Sequence, residues 1–369
     1  MGAGFYFRRR PVAGVLLAAG TTLLIAAASG WVLAVDHQDG ASRSSFRLAT
    51  GEGTPAAVTY LLAILGAGLV GAASCLFIAV GRQELRERRE ALAERERRRV
   101  VVIEQRGLQT RLDSPLEQAV PPEFEGRRVP LVINHGPLSV TGVADRHALF
   151  EDAKQLRRDI ARALADTPPG HVNIVYGGIA PVPMTFLAGV SLGDEGAVSV
   201  MDWDRTAGLW RLLDGVDDGE RFLPAKLNEV AQGTNEVMLA VSVSYSVDME
   251  GVLAAADGNP VVALRLPNPR IGNHWSAVKQ HELINEFRGM LGEFGNRGIK
   301  RIHLFLAAPN SVVFQFGKNY DGRNMPELVV YQYERSSGWR FPWGIRMPCH
   351  GKPDPELVVN DHYPPAKGD

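Results

Sequence analysis

Two long stretches near the amino terminus, each without a charged side chain, constrain this 369-residue chain more than any other feature of its sequence. They cover residues 11–35 and 57–80, and each exceeds the roughly 20 apolar residues with which a helix crosses a bilayer. A signal-peptide core has only about 7–15 such residues and would explain only the first stretch. Neither stretch shows the polar periodicity of a buried core helix. We therefore expect an all-α, two-helix transmembrane hairpin in residues 1–80, with spans at about 11–35 and 57–80.

The charges that flank the two spans predict their orientation. The loop between the spans, residues 36–56, carries three acidic residues and two arginines. Seven arginines lie outside the hairpin, at Arg8, Arg9, Arg10, Arg82, Arg86, Arg88 and Arg89. Because positively charged flanks stay in the cytoplasm, we expect a multi-pass protein of the inner (cell) membrane with cytoplasmic amino and carboxyl termini. No ionisable residue lies in the middle of a span, which argues against a proton relay or a dedicated transporter.

The segment that follows the second span is dominated by charge. Residues 82–99 hold eight arginines and five glutamates without Gly or Pro, which predicts a continuous helix. This helix is either a solvated stalk, a surface against anionic headgroups, or a contact with other copies of the chain. Residues 107–130 are rich in Pro and Gly and follow as a linker. We assign residues 81–128 to a charged stalk helix and linker, and we expect a fragment that starts at Gly107 to contain the whole cytosolic domain.

From about residue 129, apolar strands alternate with amphipathic helices. The predicted strands are at 172–176, 198–203, 209–213, 236–247, 261–266, 301–307 and 328–333, and the predicted helices are at 147–165, 184–192, 274–294 and 311–318. The alternation predicts an α/β domain over residues 129–350, followed by a C-terminal tail at 351–369.

An internal echo within this domain predicts two fused Rossmann-like halves. The segments VNIVYGGIAPVPMTFLAG and IHLFLAAPNSVVFQFG share one layout. Each has an apolar strand, a loop of small residues, and a helix in which Phe precedes Gly by three residues, as in Phe186/Gly189 and Phe314/Gly317. Such self-similarity fits two related units that were fused in one chain.

The distribution of charge and cysteine narrows the class of ligand. Residues 1–106 carry 14 Lys and Arg against 9 Asp and Glu, whereas the rest of the chain carries 26 against 32. An acidic main body argues against binding of a DNA or RNA polymer, because that requires clustered basic residues. Cys75 and Cys349 lie far apart in the sequence and support neither a disulfide framework nor a cysteine zinc site.

No catalytic motif or metal-ligand pattern is present, so we predict no catalytic residue, no metal and no cofactor. Asp202 fits a strand-edge turn better than a Mg²⁺ site. His274 and His281 lie two helical turns apart, too far to share a metal without further ligands. His303 alternates within an apolar strand and is expected to be a hydrogen-bonded core histidine. The acidic run at 217–220 is expected to be a turn.

Ligand binding is expected where strands end, because ligands of α/β sheets lie outside the carboxyl ends of the strands and helix N-termini there favour anions. Glycines at such positions permit close approach, aromatic rings stack on bases, amines contact phosphates, and Asn or Ser caps the next helix. For each of these residues, packing or a solvated surface is the alternative role. The candidate ligand contacts are Tyr176, Gly177, Gly178, Ser244, Tyr245, Ser246, Trp275, Lys279, Pro309, Asn310, Ser311 and Lys318.

Six segments of the carboxyl-terminal part occur in an order that is typical of one family. They are MDWDRTAGLW, EVMLAVSVSYSV, PVVALRLP, HWSAVKQHELINEFRGML, KRIHLFLAAPNSVVFQFG and PELVVYQYE. With these segments, residues 145–350 resemble the SAVED domain. The resemblance implies two fused CARF-like halves that bind a cyclic oligonucleotide made by a CD-NTase enzyme during phage infection. It also implies head-to-tail assembly once the ligand binds, which switches on a fused effector.

The chain resembles the transmembrane version of such effectors in CBASS antiphage signalling. The resemblance implies a membrane-anchored effector that binds a cyclic di- or trinucleotide, oligomerises and disrupts the inner membrane in abortive defence. Its implied partners are the cyclic oligonucleotide, membrane lipid, further copies of the chain and, functionally, a CD-NTase synthase. The implied pocket lies between the halves and includes Tyr176, Tyr245, Trp275, Lys279, Asn310 and Ser311. Two other classes stay open: a membrane-tethered enzyme that degrades a nucleotide messenger, and a non-catalytic membrane scaffold.

Overall fold

The computed structural model describes residues 9–29, 31–36, 45–50, 56–107, 114–135, 143–165, 172–193, 196–227, 230–335 and 340–360. The chain divides into two units, Met1–Arg95 and Glu96–Asp369. The elements that begin in the first unit are α1 (Arg9–Ser29), β1 (Trp31–Asp36), β2 (Ser45–Thr50) and α2 (Ala56–Arg97). Two stretches of these helices are long and apolar enough to cross a membrane, Pro11–Ala28 and Ala56–Glu90.

The first span is shorter than predicted, and the hairpin is not all α. The predicted first span ran to residue 35, but α1 ends at Ser29 and β1 follows. β1 pairs with β2 in an antiparallel two-stranded sheet. The sequence of β1, WVLAVD, is rich in residues that favour strands, and the 21 residues of α1 already match the thickness of a bilayer. α2 continues without a break from its apolar part to Arg97, which confirms the predicted continuous helix.

Glycine brings α1 and α2 close together. A Cβ atom placed on Gly20 would lie 2.9 Å from the carbonyl oxygen of Gly66, and one placed on Gly66 would lie 2.9 Å from the carbonyl oxygen of Gly20. Ala13 and Ala73 are fully buried on the same helix faces. Helices in lipid associate through small residues of this kind because their backbones can then approach.

The second unit begins with a five-stranded sheet. Its elements are β3 (Arg99–Arg106), α3 (Leu116–Ala119), β4 (Arg127–Asn134), α4 (Val143–Ala165), β5 (Val172–Ile179), α5 (Val182–Ser191), β6 (Val198–Asp204) and β7 (Leu209–Leu212). The strand order is β4-β3-β5-β6-β7. The first four strands are parallel, and β7 is antiparallel to β6.

β3 corrects the predicted boundary of the α/β domain. It lies within residues 81–128, where we expected only stalk and linker, yet it pairs with both β4 and β5 in the middle of the sheet. Its apolar run from Val100 to Ile103 is almost completely buried. The charged residues that precede this short run obscured it in the sequence. A fragment that starts at Gly107 would therefore lack a central strand.

A six-stranded sheet follows. Its elements are β8 (Glu236–Ser242), α6 (Met249–Ala255), β9 (Val261–Arg265), α7 (Ala277–Asn296), β10 (Arg301–Ala307), α8 (Asn310–Lys318), β11 (Glu327–Gln332), β12 (Trp343–Arg346) and β13 (Glu356–Val359). The strand order is β13-β12-β11-β10-β8-β9, with β8 to β11 parallel and β12 and β13 added antiparallel. β13 lies in the predicted tail at 351–369, which is a second correction.

The two sheets share one topology, which confirms the α/β class with two fused Rossmann-like halves. In each half the four parallel strands have the order second-first-third-fourth, and β5–α5 corresponds to β10–α8. These are the segments of the internal echo. One continuous hydrophobic core contains residues from both halves.

The echoed glycines form the contact between α5 and α8. A Cβ atom on Gly189 would collide with the carbonyl oxygen of Phe314, and a Cβ atom on Gly317 would collide with the carbonyl oxygen of Phe186. Each glycine of one helix therefore meets the phenylalanine of the other. Such reciprocal contacts are the mark of a two-fold axis, which here relates the two halves of a single chain.

Candidate functional site

The carboxylate of Asp202 joins the two halves. Asp202 lies near the carboxyl end of β6, is 5% exposed, and accepts hydrogen bonds from the backbone N–H groups of Trp203 (2.8 Å) and Ser311 (3.0 Å). Ser311 lies in the first turn of α8, in the other half. A carboxylate at a helix N-terminus is stabilised by the unpaired N–H groups and the positive end of the helix dipole. The predicted caps are therefore wrong: Pro309 is the N-cap of α8, without a side-chain cap, and Asp202 bonds its first turn.

The corresponding helix of the first half has a related bond. The side-chain oxygen of Gln332, at the end of β11, accepts a hydrogen bond from the backbone N–H of Val182 at the start of α5 (3.0 Å). In each half the start of a helix is therefore bonded by a side chain from the fourth parallel strand of the other half. One of these side chains is charged and the other is neutral.

Three buried polar side chains around the start of α7 extend the contact at Asp202. Nε2 of Gln280 donates hydrogen bonds to the carbonyl oxygen of His274 (2.8 Å) and to Oγ of Ser311 (2.9 Å). Nε2 of His274 lies 3.3 Å from Oδ2 of Asp202. Nδ2 of Asn273 donates to the carbonyl oxygen of Val243, just past β8 (2.9 Å). We call Asp202, Asn273, His274, Gln280 and Ser311 the junction cluster; each is less than 8% exposed.

Of these five residues, only Ser311 was among the predicted ligand contacts. Asp202 and His274 were examined in the sequence as metal ligands and set aside. Asp202 and His274 could have been found as polar residues near the end of a buried strand and just before a long helix. Their convergence depends on how the two halves pack, which no local pattern encodes.

Tyr176, Gly177 and Gly178 belong to the protein core. The Tyr176 ring is fully buried and stacks on Phe314 with centroids 3.7 Å apart, and its hydroxyl donates to Oε1 of Gln105 (2.6 Å). Burial raises the pKa of this hydroxyl. A Cβ atom on Gly177 or Gly178 would press against neighbouring side chains. In this conformation Tyr176 offers no free face for a base, which contradicts its predicted stacking role.

A second polar contact at the strand ends involves Gln105 of β3, which the sequence reading missed together with that strand. Nε2 of Gln105 lies 2.8 Å from Nε2 of His135 and donates to the carbonyl oxygen of Met184 (3.1 Å). Burial lowers the pKa of His135 to about 4. The imidazole is therefore neutral near pH 7, and Nε2 accepts the amide hydrogen.

Lys279 is held by an acidic segment rather than exposed to a ligand. Its side chain is 1% exposed, and Nζ lies 2.7 Å from Asp218 and 3.3 Å from Glu220. Arg270 pairs with the same two carboxylates at 3.0 Å. The hydrogen bond from Arg270 is the largest cause that lowers the pKa of Glu220. The predicted turn at 217–220 thus supplies the acidic residues of an ion-pair cluster. Lys279 was predicted to contact a phosphate, but its amine contacts the carboxylates of Asp218 and Glu220 instead.

Trp275 and the residues after β8 keep accessible surface close to the junction cluster. Trp275 is half-buried, with the Arg211 guanidinium 4.7 Å above its ring. Tyr245 is 55% exposed and Ser246 is also exposed, whereas Ser244 is buried against the carbonyl of Ala307.

The predicted contacts on α8 lie at opposite ends of that helix. Asn310 approaches Oγ1 of Thr185 of the first half (3.4 Å) and begins the helix with Pro309 as its N-cap. Lys318 ends the helix, about 12 Å along the axis at 1.5 Å per residue, and is therefore remote from the junction cluster. The backbone N–H of Ser311, predicted to meet a phosphate, is bonded to Asp202.

His303 occupies a hydrogen-bonded site, as predicted. Nδ1 lies 2.9 Å from the hydroxyl of Tyr331, and Nε2 lies 3.0 Å from Glu236. Among the residues that the structure describes, no group of three or more His, Cys, Asp or Glu is arranged to hold a metal ion.

Comparison with known proteins gives two family matches. Residues 153–347, more than half of the chain, match the family model described as the SMODS-associated and fused to various effectors (SAVED) sensor domain. Residues 2–144 match the model of the SAVED-fused 2TM effector domain. The second match extends over β3 and β4, so the boundary between the two matches falls inside the first half of the α/β domain.

Solved structures with a similar fold include two bacterial receptors. The Acinetobacter baumannii Cap4 SAVED/CARF-domain containing receptor with the cyclic trinucleotide 2'3'3'-cAAA is 13% identical, with a TM-score of 0.45 over 79% of this chain and 60% of that one. The Moraxella osloensis Cap4 receptor is 13% identical, with a TM-score of 0.42 over 78% and 60%. This chain thus spans less than two thirds of each receptor. No curated protein matches the sequence. On the family matches, the chain belongs to the SAVED family and is a SAVED sensor domain fused to a 2TM effector domain.

Proposed function

We propose that this chain is a membrane-anchored receptor and effector that binds a cyclic di- or trinucleotide at the junction cluster, oligomerises and disrupts the inner membrane. The observation that carries the proposal is the junction cluster itself, in which buried polar side chains from both halves of a SAVED domain meet. A ligand seated there contacts both halves at once. It therefore favours one arrangement of the halves over others by its difference in affinity for them.

The rim of the junction cluster supplies groups that suit a nucleotide. Tyr245 is exposed and can stack on a base. Trp275 is half-buried, with Arg211 and His274 against its ring, so it contributes apolar surface at the rim. Arg265 is exposed at the carboxyl end of β9, where a guanidinium can contact a phosphate. Lys279 and Tyr176 have no direct ligand contact in this proposal, because the first is paired with carboxylates and the second is part of the core.

Exposed apolar side chains near Trp275 support assembly of several copies. Val216 is 95% exposed, Ile271 71% and Val278 62%, and all three lie on segments next to Trp275. Apolar residues exposed together mark contact surfaces more often than single ones do. A ligand drives assembly only by binding the assembled state more tightly, and a ligand at an edge shared by two copies does so.

The membrane hairpins are the proposed output. Positions Gly68 and Gly71 of α2 have open space around them, so a neighbouring hairpin can approach closely there. We place both termini in the cytoplasm, assign no catalytic step to the chain, and link it functionally to a CD-NTase synthase that supplies the messenger.

The test uses the full-length protein in detergent and in vesicles. Each member of a panel of cyclic di- and trinucleotides is added, and thermal stability, particle mass by light scattering, and release of a vesicle-trapped dye are recorded. We expect one ligand to raise all three signals. We expect His281→Ala to give the same three signals as the wild type, because His281 is exposed on α7 outside the junction cluster.

The outcomes separate the classes of function. Stabilisation without growth in mass identifies a binding protein that does not signal by assembly and contradicts the proposed mechanism. Consumption of the ligand identifies a messenger-degrading enzyme. No response to any ligand would leave a membrane scaffold.

A further inference from the structure

Four side-chain atoms of the junction cluster are buried without a hydrogen-bond partner among the residues that the structure describes. They are Oδ1 of Asn273, Nδ1 and Nε2 of His274, and Oε1 of Gln280. Their residues are 7%, 6% and 2% exposed. Buried polar atoms are nearly always bonded, so four in one cluster require an explanation.

The two amide groups are fixed in orientation by their other atoms. Nδ2 of Asn273 donates to a carbonyl oxygen, and so does Nε2 of Gln280. Turning either amide over would place two oxygens against each other. The atoms left over are therefore oxygens, which accept hydrogen bonds and cannot donate them.

His274 lies on the same segment, and its Nε2 faces the Asp202 carboxylate at 3.3 Å without a hydrogen bond of good geometry. The two unpartnered atoms that can only accept are therefore Oδ1 of Asn273 and Oε1 of Gln280, and both residues lie on one segment at the start of α7.

A set of buried acceptors selects a ligand group that donates. Building on the proposed function, we infer that the junction cluster recognises the exocyclic amino group of a nucleobase and discriminates against bases that present a carbonyl oxygen in its place. An amino group supplies two N–H donors to such acceptors, whereas a carbonyl oxygen repels them and leaves them unbonded. The base enters beside the loop at 267–272, whose residues are mostly exposed and which ends at Gly272 with φ +81°.

The experiment compares cyclic trinucleotides that differ in their bases and share the same sugar-phosphate ring. Cyclic tri-adenylate, tri-guanylate and tri-cytidylate carry amino groups, whereas cyclic tri-inosinate and tri-uridylate do not. Inosine is the matched partner of both purines, because its base lacks the amino group of each. Binding of all five to the full-length protein in detergent is measured by calorimetry. We expect at least one amino-bearing ring to bind about 10- to 100-fold more tightly than its partner that lacks the amino group.

A substitution at Gln280 tests whether the junction cluster causes the preference for an amino group. Gln280→Met keeps the length of the side chain but removes its acceptor, together with the Nε2 donor that bonds the His274 carbonyl and Ser311. We expect it to lower the preference for the amino group several-fold. His281→Ala, on the same turn of α7, leaves the preference intact. The comparison of bases on the unaltered protein needs no variant, so it stands even where Gln280→Met does not fold.

The outcomes distinguish this inference from the proposed function. Equal binding of inosine and adenosine or guanosine rings, or preferred binding of the uridine ring, overturns the inference and leaves the receptor function in place. Equal binding means that solvent satisfies the two acceptor oxygens. If none of the rings binds, nor any member of the wider panel, the receptor function itself fails.

Discussion

Two buried basic side chains near the strand ends have partners of different kinds. Lys279 is surrounded by Asp218 and Glu220, so its charge is compensated within 3.3 Å. His135 contacts the neutral amide of Gln105, and burial lowers its pKa to about 4. At the scale of a residue, burial beside a neutral amide thus disfavours the charged form of His135, whereas Lys279 lies between two carboxylates. A buried pair of charges mainly fixes geometry, because desolvation offsets much of its attraction.

The neutral state of His135 predicts a pH dependence of stability. The unfolded chain binds a proton at His135 below about pH 6.5, whereas the folded chain resists protonation down to about pH 4. This contribution to stability is therefore complete above pH 6.5 and is lost as the pH falls towards 4. Between pH 7.5 and 4.5 we expect the unfolding free energy of the wild type to fall by about 2–3 kcal/mol more than that of His135→Gln.

Denaturant unfolding of both proteins in detergent at the two pH values checks the prediction. Other titrating groups, such as His303, are common to both proteins and cancel in the difference. A parallel fall in the two proteins would contradict the assignment of the effect to His135.

At the scale of secondary-structure elements, strands and helices with a long or regular hydrophobic pattern could be predicted from the sequence. The predicted strand at 301–307 matches β10 residue for residue, and the predicted helices at 184–192 and 311–318 match α5 and α8 within two residues. β3 was missed because its short apolar run adjoins the arginines of the stalk. β12 and β13 were missed because four-residue strands carry almost no periodic signal.

The candidate site was less predictable than its supporting elements. Ser311 was predicted at a strand end and lies in the junction cluster, but Lys279 and Tyr176 were predicted by residue type and have protein partners instead. Those partners, Asp218 and Phe314, are far from them in the sequence. Pairings of this kind follow from the packing of the two halves.

The contact between α5 and α8 predicts unequal effects of the same substitution at two glycines. Gly189→Ala places a Cβ atom against backbone atoms of Phe314 and Lys318, so the helices must separate. We expect a loss of about 3 kcal/mol in unfolding free energy. Gly289 lies on the exposed face of α7, where an added Cβ atom would meet open space, and Gly289→Ala should stabilise by about 0.5–1 kcal/mol.

Chemical denaturation of the two variants measures the difference. If Gly189→Ala were as stable as Gly289→Ala, the close contact between the halves would not hold in solution.

At the scale of the whole molecule, the division into units differs from the division expected from composition. The charged helix α2 ends at Arg97, and β3 begins at Arg99. No separate linker intervenes between them, whereas composition had placed the start of the α/β domain at residue 129. The second unit therefore begins at Glu96, within the charged segment.

This boundary predicts the behaviour of truncated chains. We expect a fragment of residues 96–369 to give one cooperative thermal transition and a single particle size. A fragment of residues 107–369 lacks β3, leaves edges of β4 and β5 unpaired, and should aggregate or unfold without cooperativity. Size-exclusion chromatography and calorimetry distinguish the two; cooperative unfolding of the shorter fragment would show that β3 is dispensable.

The different side chains at the two related helix starts have a consequence for the symmetry of the ligand. In a dimer of identical chains, both positions would hold the same residue, and any substitution would occur twice. Here Asp202 bonds the start of α8 and Gln332 bonds the start of α5, so the two halves differ at corresponding positions. Under the proposed function, such a chain can present different surfaces to the two sides of one ligand. The ligand then does not need the two-fold symmetry that relates the two halves.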